Sequence, residues 1–306
     1  MKRLRFIIFY LSIIYLPAHA QDKPLPQYPS PMQENVRTHI RLHFNPDGQG
    51  ISFEINNLFD KPVHVFIPAK SINAKKLDLL IHFHGNSAIV DYSATKYHGH
   101  LIAVSITLGA GSSVYSNAFN PPDQFQKLID SVQSVASRQL HHSFRIHRII
   151  ISGFSAGYGA VRKILSNQND VSLIDDVLLL DGLHANYIPE RTPLADGGII
   201  DSSQYDGFLK FCHLAIQKKS SKRFLFTHSE IFPGTFASTT ESADFLLQAL
   251  HIKAYPVLKW GTGGMQQISE VRKNHLEIMG FAGNSAPDHI DHLEGLWYFL
   301  NRLRKL

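Results

Sequence analysis

The chain has 306 residues, 44% of them hydrophobic and 18% charged, with a formal net charge of +5 and one cysteine, Cys212. A single cysteine excludes an intramolecular disulfide, so stability has to come from an apolar core, and a chain this apolar without low-complexity segments or solenoid repeats suits one globular domain. Lys2, Arg3 and Arg5 supply three of the five net positive charges, so the basic balance is poor evidence for nucleic-acid binding.

Those three residues precede an apolar run from Phe6 to Leu16, and Ala18-His19-Ala20 offers small residues at the positions a signal peptidase reads. The pattern predicts a secretory signal peptide over 1–20, cleaved after Ala20, and a secreted or periplasmic product. The run is shorter than the roughly 20 residues that span a bilayer, and no cysteine at the cleavage site offers a lipid attachment point, so no stable membrane anchor is expected. A Pro-rich leader then occupies 21–36, and a single domain 37–306 follows.

Along that domain, His39 to Phe44 and Ile51 to Ile55 alternate around Asn45-Pro46-Asp47-Gly48 and read as an antiparallel hairpin; Val63 to Ile67 reads as another short strand. Nearly continuous apolar runs come next, at Leu77–Phe83, Leu101–Ile106, Ile149–Ile151, Val177–Leu180, Phe224–Thr227 and Leu276–Phe281, as strands buried on both faces of a parallel sheet require. Helical stretches alternate with them at Pro122–Leu140, Ala156–Asn167, Tyr205–Lys218, Ser242–Leu250 and His289–Leu303. His184 to Tyr205 reads as an irregular insertion, and Tyr255–Trp260 as an extra strand before a Gly-rich turn. The order is α/β, with a mostly parallel sheet, helices on both faces and an antiparallel N-terminal edge.

Ile149-Ile150-Ile151-Ser152-Gly153-Phe154-Ser155-Ala156-Gly157 runs from a buried strand through a sharp turn into a helix of small residues. Glycines two before and two after a serine leave room for a strained strand-to-helix turn, which exposes Ser155 Oγ as a nucleophile. The same turn aims the Ala156 N–H and the positive helix end at the place where an oxyanion would form. Leu79-Leu80-Ile81-His82-Phe83-His84-Gly85-Asn86 ends another core strand in a His-Gly step.

With these two motifs the chain resembles the α/β-hydrolase family from about residue 60 onward. The resemblance implies an oxyanion hole made by the amides of Asn86 and Ala156, and a triad in the chain order serine, acid, histidine. The base then lies in Asp288-His289-Ile290-Asp291-His292, after the last strand. His289, nearer the strand end, is preferred, with His292 one turn farther as the alternate, and Asp288 or Asp291 as helix cap. For the acid, Asp181 directly follows the strand after the nucleophile strand and is preferred; Glu230, one strand later, occupies the place where most of the family hold it. Asp181-Gly182 also reads as a plain turn.

These residues together predict a serine hydrolase acting on a carboxylic ester, a small or acylated molecule, through an acyl-enzyme intermediate, with no cofactor implied. A peptidase or amidase of the same fold is the alternative within the class. A catalytically silent binding protein is a second. A carbohydrate-binding surface built on Tyr187, Tyr205, Trp260 and Trp297 is a third, though Trp297 reads as helix core. His82 and His84 share a strand face, but no third metal ligand lies nearby in the sequence, so no metal site is expected.

Overall fold

The computed structural model describes residues 49–306. The expected signal peptide, the Pro-rich stretch after it and the expected first hairpin strand, His39–Phe44, lie outside the described residues. In chain order the first half holds β1 (Gly50–Ile55), β2 (Val63–Pro68), β3 (Lys76–Phe83), α1 (Ser87–Lys96), β4 (Leu101–Ile106), α2 (Ser112–Ala118), α3 (Gln124–Leu140), β5 (Arg145–Phe154), α4 (Tyr158–Leu165), α5 (Gln168–Leu173) and β6 (Asp176–Leu180). A short ribbon of β7 (Tyr187–Ile188) and β8 (Ile199–Ile200) follows. The remainder holds α6 (Asp206–Ala215), β9 (Arg223–His228), α7 (Thr239–Ala249), β10 (Tyr255–Trp260), β11 (Gln266–Lys273), β12 (Leu276–Phe281), α8 (Ala286–Glu294) and α9 (Leu296–Leu303).

Ten of these strands form one sheet in the order β1-β2-β4-β3-β5-β6-β9-β12-β11-β10. The six central strands, β4 through β12, run parallel. β2 is antiparallel to both β1 and β4, so the N-terminal edge has the expected direction, with β1 paired to β2. The far edge is antiparallel too: β12, β11 and β10 form a meander in which Tyr255–Trp260 is the outermost strand.

The continuous apolar runs are explained by two cores. Alternate residues of β3 serve opposite faces: Leu79, Ile81 and Phe83 join the core under α3, α4 and α6, whereas Leu80 joins the core under α1, α8 and α9. Ile149 and Ile151 of β5 divide from Ile150 in the same way. The predicted C-terminal helix is two helices. Gly295 separates α8 from α9, and α8 starts at Ala286, three residues before the start drawn from sequence, capped by Ser285 in a capping box with Asp288. Trp297 is half-buried rather than core, and Tyr187 and Tyr205 are fully buried. Trp260 alone of the four candidate aromatics is exposed, so they do not form a sugar-binding row.

Between β3 and β5 the chain changes the direction in which it adds strands, since β4 is laid on one side of β3 and β5 on the other. The crevice beyond the carboxyl ends of these two strands is where open α/β sheets gather polar groups. Register carries the alignment outward: Phe83 pairs with Gly153, Phe154 with Leu180, and Leu180 with Thr227. Ser155 and Asp181 are therefore the first residues beyond adjacent strand ends.

Candidate active site

Ser155 leaves β5 and enters a short 3-10 turn, 155–157, that runs into α4. Its φ of +47° is in the left-handed region, as a nucleophile turn of this kind demands. The flanking glycines are steric necessities. A Cβ on Gly157 would lie 2.0 Å from the Phe83 carbonyl oxygen, and one on Gly153 would lie 3.0 Å from the Gly157 carbonyl carbon and the Tyr158 nitrogen.

Asp181 also has a positive φ, +41°. Two non-glycine residues held this way at neighbouring strand ends each cost on the order of 1–3 kcal/mol, which the surrounding packing has to offset. The turn reading of Asp181-Gly182 and the functional reading coincide: a Cβ on Gly182 would sit 2.5 Å from the Ser155 nitrogen, so the Asp-Gly turn lies directly against the serine.

The Asp181 carboxylate is buried and carries four hydrogen bonds. His289 Nδ1 donates to Oδ2 at 2.7 Å, Ser229 Oγ donates to Oδ2 at 2.7 Å, and Thr239 Oγ1 and the Ser229 amide donate to Oδ1 at 2.6 and 2.9 Å. Burial alone would raise its pKa; attraction to His292, the hydrogen bond and charge of His289, and the Thr239 hydrogen bond outweigh that and hold it well below the usual carboxylate range. His289 Nδ1 therefore carries a proton toward Asp181, which leaves Nε2 as the basic nitrogen. The His289 ring packs on Phe154, the residue before Ser155, with ring centroids 4.5 Å apart.

The two alternates sit elsewhere. His292 is buried on the same helix as His289 but its Nδ1 meets Thr227 Oγ1 at 2.7 Å, and burial pushes its pKa down to about 4. Glu230 is exposed and bridges the end of β9 to the turn before α8: its Oε2 accepts from the Gly283 amide at 3.2 Å and its own amide donates to the Gly283 carbonyl at 3.0 Å. Neither approaches the carboxylate–imidazole pair through a hydrogen bond. The N-cap of α8 is Ser285, with Asp288 as its capping-box partner, and Asp291 lies a turn farther inside the helix.

On the other side of the serine, β3 is followed by His84 and Gly85 with φ of +69° and +127°, and Asn86 caps α1 by accepting from the Ala88 amide at 2.9 Å. The 3-10 turn places Ala156 immediately after Ser155. His82 and His84 diverge: His82 Nδ1 meets Ser152 Oγ at 3.0 Å, whereas His84 Nδ1 meets the Tyr115 hydroxyl at 2.7 Å. Among the described residues no group of three His, Cys, Asp or Glu side chains could hold a metal, and no helix is long and apolar enough to cross a membrane.

Sequence reasoning missed Ser229 and Thr239. The available signal was the Ser-x-x-Glu pattern at Ser238–Glu241, a capping box that starts α7 at Thr239, three residues before the predicted start. It announces a helix N-terminus, but only the sheet register brings that terminus to Asp181.

No family model matches the sequence, and no curated protein matches it. Among solved structures, the chain is similar to an arylesterase at 13% identity and a TM-score of 0.47, covering 87% of each chain. It is similar to esterase B from Lactobacillus rhamnosis at 13% identity and a TM-score of 0.41, covering 72% of this chain and 78% of that one. It is also similar to an ester-hydrolase from the metagenome of Lake Arreo, complexed with a bipyridine phosphonate derivative, at 12% identity and a TM-score of 0.45, covering 84% and 81%. On its own strand order, its two-faced helical cover and the serine-bearing turn between β5 and α4, the chain has the α/β-hydrolase fold.

Proposed function

We propose that the protein is a serine hydrolase that cleaves a carboxylic ester. The observation that carries this reading is the buried Asp181–His289 hydrogen bond set beside the strained turn that presents Ser155. In the proposed cycle Ser155 Oγ attacks the acyl carbonyl while His289 Nε2 takes its proton. Asp181 keeps the proton on Nδ1 and stabilises the imidazolium. The amides of Ala156 and Asn86 bind the oxyanion; loss of one such donor typically costs about 3–4 kcal/mol of transition-state stabilisation. His289 then returns the proton to the departing alcohol, a water attacks the acyl-serine through the same base, and the carboxylic acid leaves.

The substrate is a small or acylated molecule, and the chain is exported through the 1–20 leader to the periplasm or medium. A screen of nitrophenyl esters of graded acyl length, run beside matched anilides and peptides, tests the reaction. Ester turnover that disappears in Ser155→Ala supports it, preferential anilide cleavage would make the enzyme an amidase, and no turnover of any substrate by folded protein would leave a silent binding protein. The mass of the exported product tests the leader: a chain beginning at Gln21 is expected, and an intact Met1 terminus would contradict export with cleavage.

A further inference from the structure

Glu230, which the family resemblance placed in the acid position after β9, turns to the Gly283 amide, and its neighbour Ser229 turns to the Asp181 carboxylate at the end of the adjacent strand β6. We infer that Ser229 and Thr239 are positioning residues that clamp Asp181, fixing which oxygen faces His289 and setting how strongly it holds the imidazole. The inference rests on the reading of Asp181 and His289 as the acid–base pair.

The direction of each hydrogen bond is fixed by the ionised carboxylate, which can only accept. Thr239 Oγ1 accepts from the Ser229 amide at 3.4 Å, and Ser229 Oγ accepts from the Ile231 amide at 3.4 Å, so both hydroxyl protons are turned toward Asp181. Oδ1 is saturated by Thr239 and the Ser229 N–H, so Oδ2 alone is left for His289, shared with the Ser229 hydroxyl. Thr239 is the first residue of α7, so the carboxylate also lies at that helix's positive end. α7 is anchored in its turn: Ser238 and Glu241 form its capping box, Thr240 Oγ1 donates to the Ser229 carbonyl at 2.7 Å, and Ser242 Oγ donates to the Leu183 carbonyl at 2.7 Å. A charge-assisted network of this kind restrains a carboxylate more tightly than any one bond does.

Each donor also draws charge from the carboxylate. Removing one makes Asp181 more basic, strengthens its attraction for the imidazolium and raises the pKa of His289. Three other imidazoles surround the carboxylate: His184 from the loop after β6, His228 at the end of β9 and His292 from α8. Burial pushes each to about 4, so these three imidazoles are largely neutral above pH 5.

The experiment is NMR titration of histidine-labelled protein, with ester kinetics in parallel. Thr239→Val and Ser229→Ala are expected to raise the His289 midpoint by about half a pH unit or more, with Thr239→Ser close to the parent. The acid limb of kcat/KM should move by the same amount, and kcat should fall about ten-fold at nearly constant KM. Midpoints within about 0.2 pH unit of the parent in folded variants would overturn the inference; if Thr239→Val does not fold, Ser229→Ala decides it alone. The NMR midpoint is independent of turnover. A shifted midpoint in a protein without serine-dependent esterolysis would keep the clamp and remove the hydrolase reading.

Discussion

Five histidines, three of them buried and His84 and His184 half-buried, make the fold sensitive to mild acid. Burial lowers the pKa of His82 to about 3 and of His84, His184, His228 and His292 to about 4, against an ordinary value of 6.5. Each folded value lies below the unfolded one. Above pH 6.5 neither state is protonated and the full stability is present. Below it, the unfolded chain takes up protons that the folded chain refuses, until the pH approaches the folded values. One such histidine costs on the order of 1.4 kcal/mol by pH 5.5, and several together cost a sizeable part of the stability of an ordinary domain. Asp181 does not offset this: its pKa is depressed, so its contribution persists until the pH falls through a value far below the range where the histidines act. His64, raised by its hydrogen bond to Asp91, has the opposite sign, because its contribution is present below 6.5 and lost as pH rises through its folded value. Urea unfolding at pH 7.5, 6.5 and 5.5 measures the balance. A fall of several kcal/mol between the first and last, with more than about two protons taken up on unfolding near pH 5.5, is expected. A change smaller than about 1.4 kcal/mol, the equivalent of one histidine, would refute the reasoning.

Replacing the proposed catalytic groups one at a time should damage ester hydrolysis in an order that names their roles. His289→Ala should approach the loss in Ser155→Ala, on the order of a million-fold; Asp181→Asn should lose about a thousand-fold or more; Glu230→Gln and His292→Ala should lose about ten-fold. A crippled Glu230→Gln beside a near-normal Asp181→Asn in steady-state assays would reassign the acid. Gly157→Ala should destabilise by about 3 kcal/mol or more in urea unfolding, because its Cβ overlaps the Phe83 backbone carbonyl, which no rotamer change relieves. A loss below about 1 kcal/mol would mean that the β3–β5 crevice is looser than drawn.

What sequence could reveal was governed by range. The central strands were legible because burial on both faces removes polar residues, as Leu79-Leu80-Ile81 and Val177-Leu178-Leu179-Leu180 show. Ser155 was legible because its turn is local and its glycines are enforced by contacts with neighbouring backbone. The helix α1 was not read: Ser87-Ala88-Ile89-Val90-Asp91-Tyr92 lacks a clean apolar stripe and carries adjacent β-branched residues, and its start is set by the Asn86 cap. The partner of β1 within the described residues is β2, across the loop 56–62. The choice between Asp181 and Glu230 was open because both follow strands in the right order. Only the register of β6 on β9 and the entry of α8 show that His289 meets the first and the Gly283 turn meets the second.

The central claim is that Ser155 is an activated nucleophile, and covalent capture tests it most directly. Incubation of the purified protein with a fluorophosphonate, followed by intact mass and peptide mapping, should give one adduct per chain, on Ser155. The adduct should be absent from Ser155→Ala and slowed sharply in His289→Ala, because the base that activates the hydroxyl is gone. A folded protein that takes no label, or takes it on a residue other than Ser155, would contradict the account.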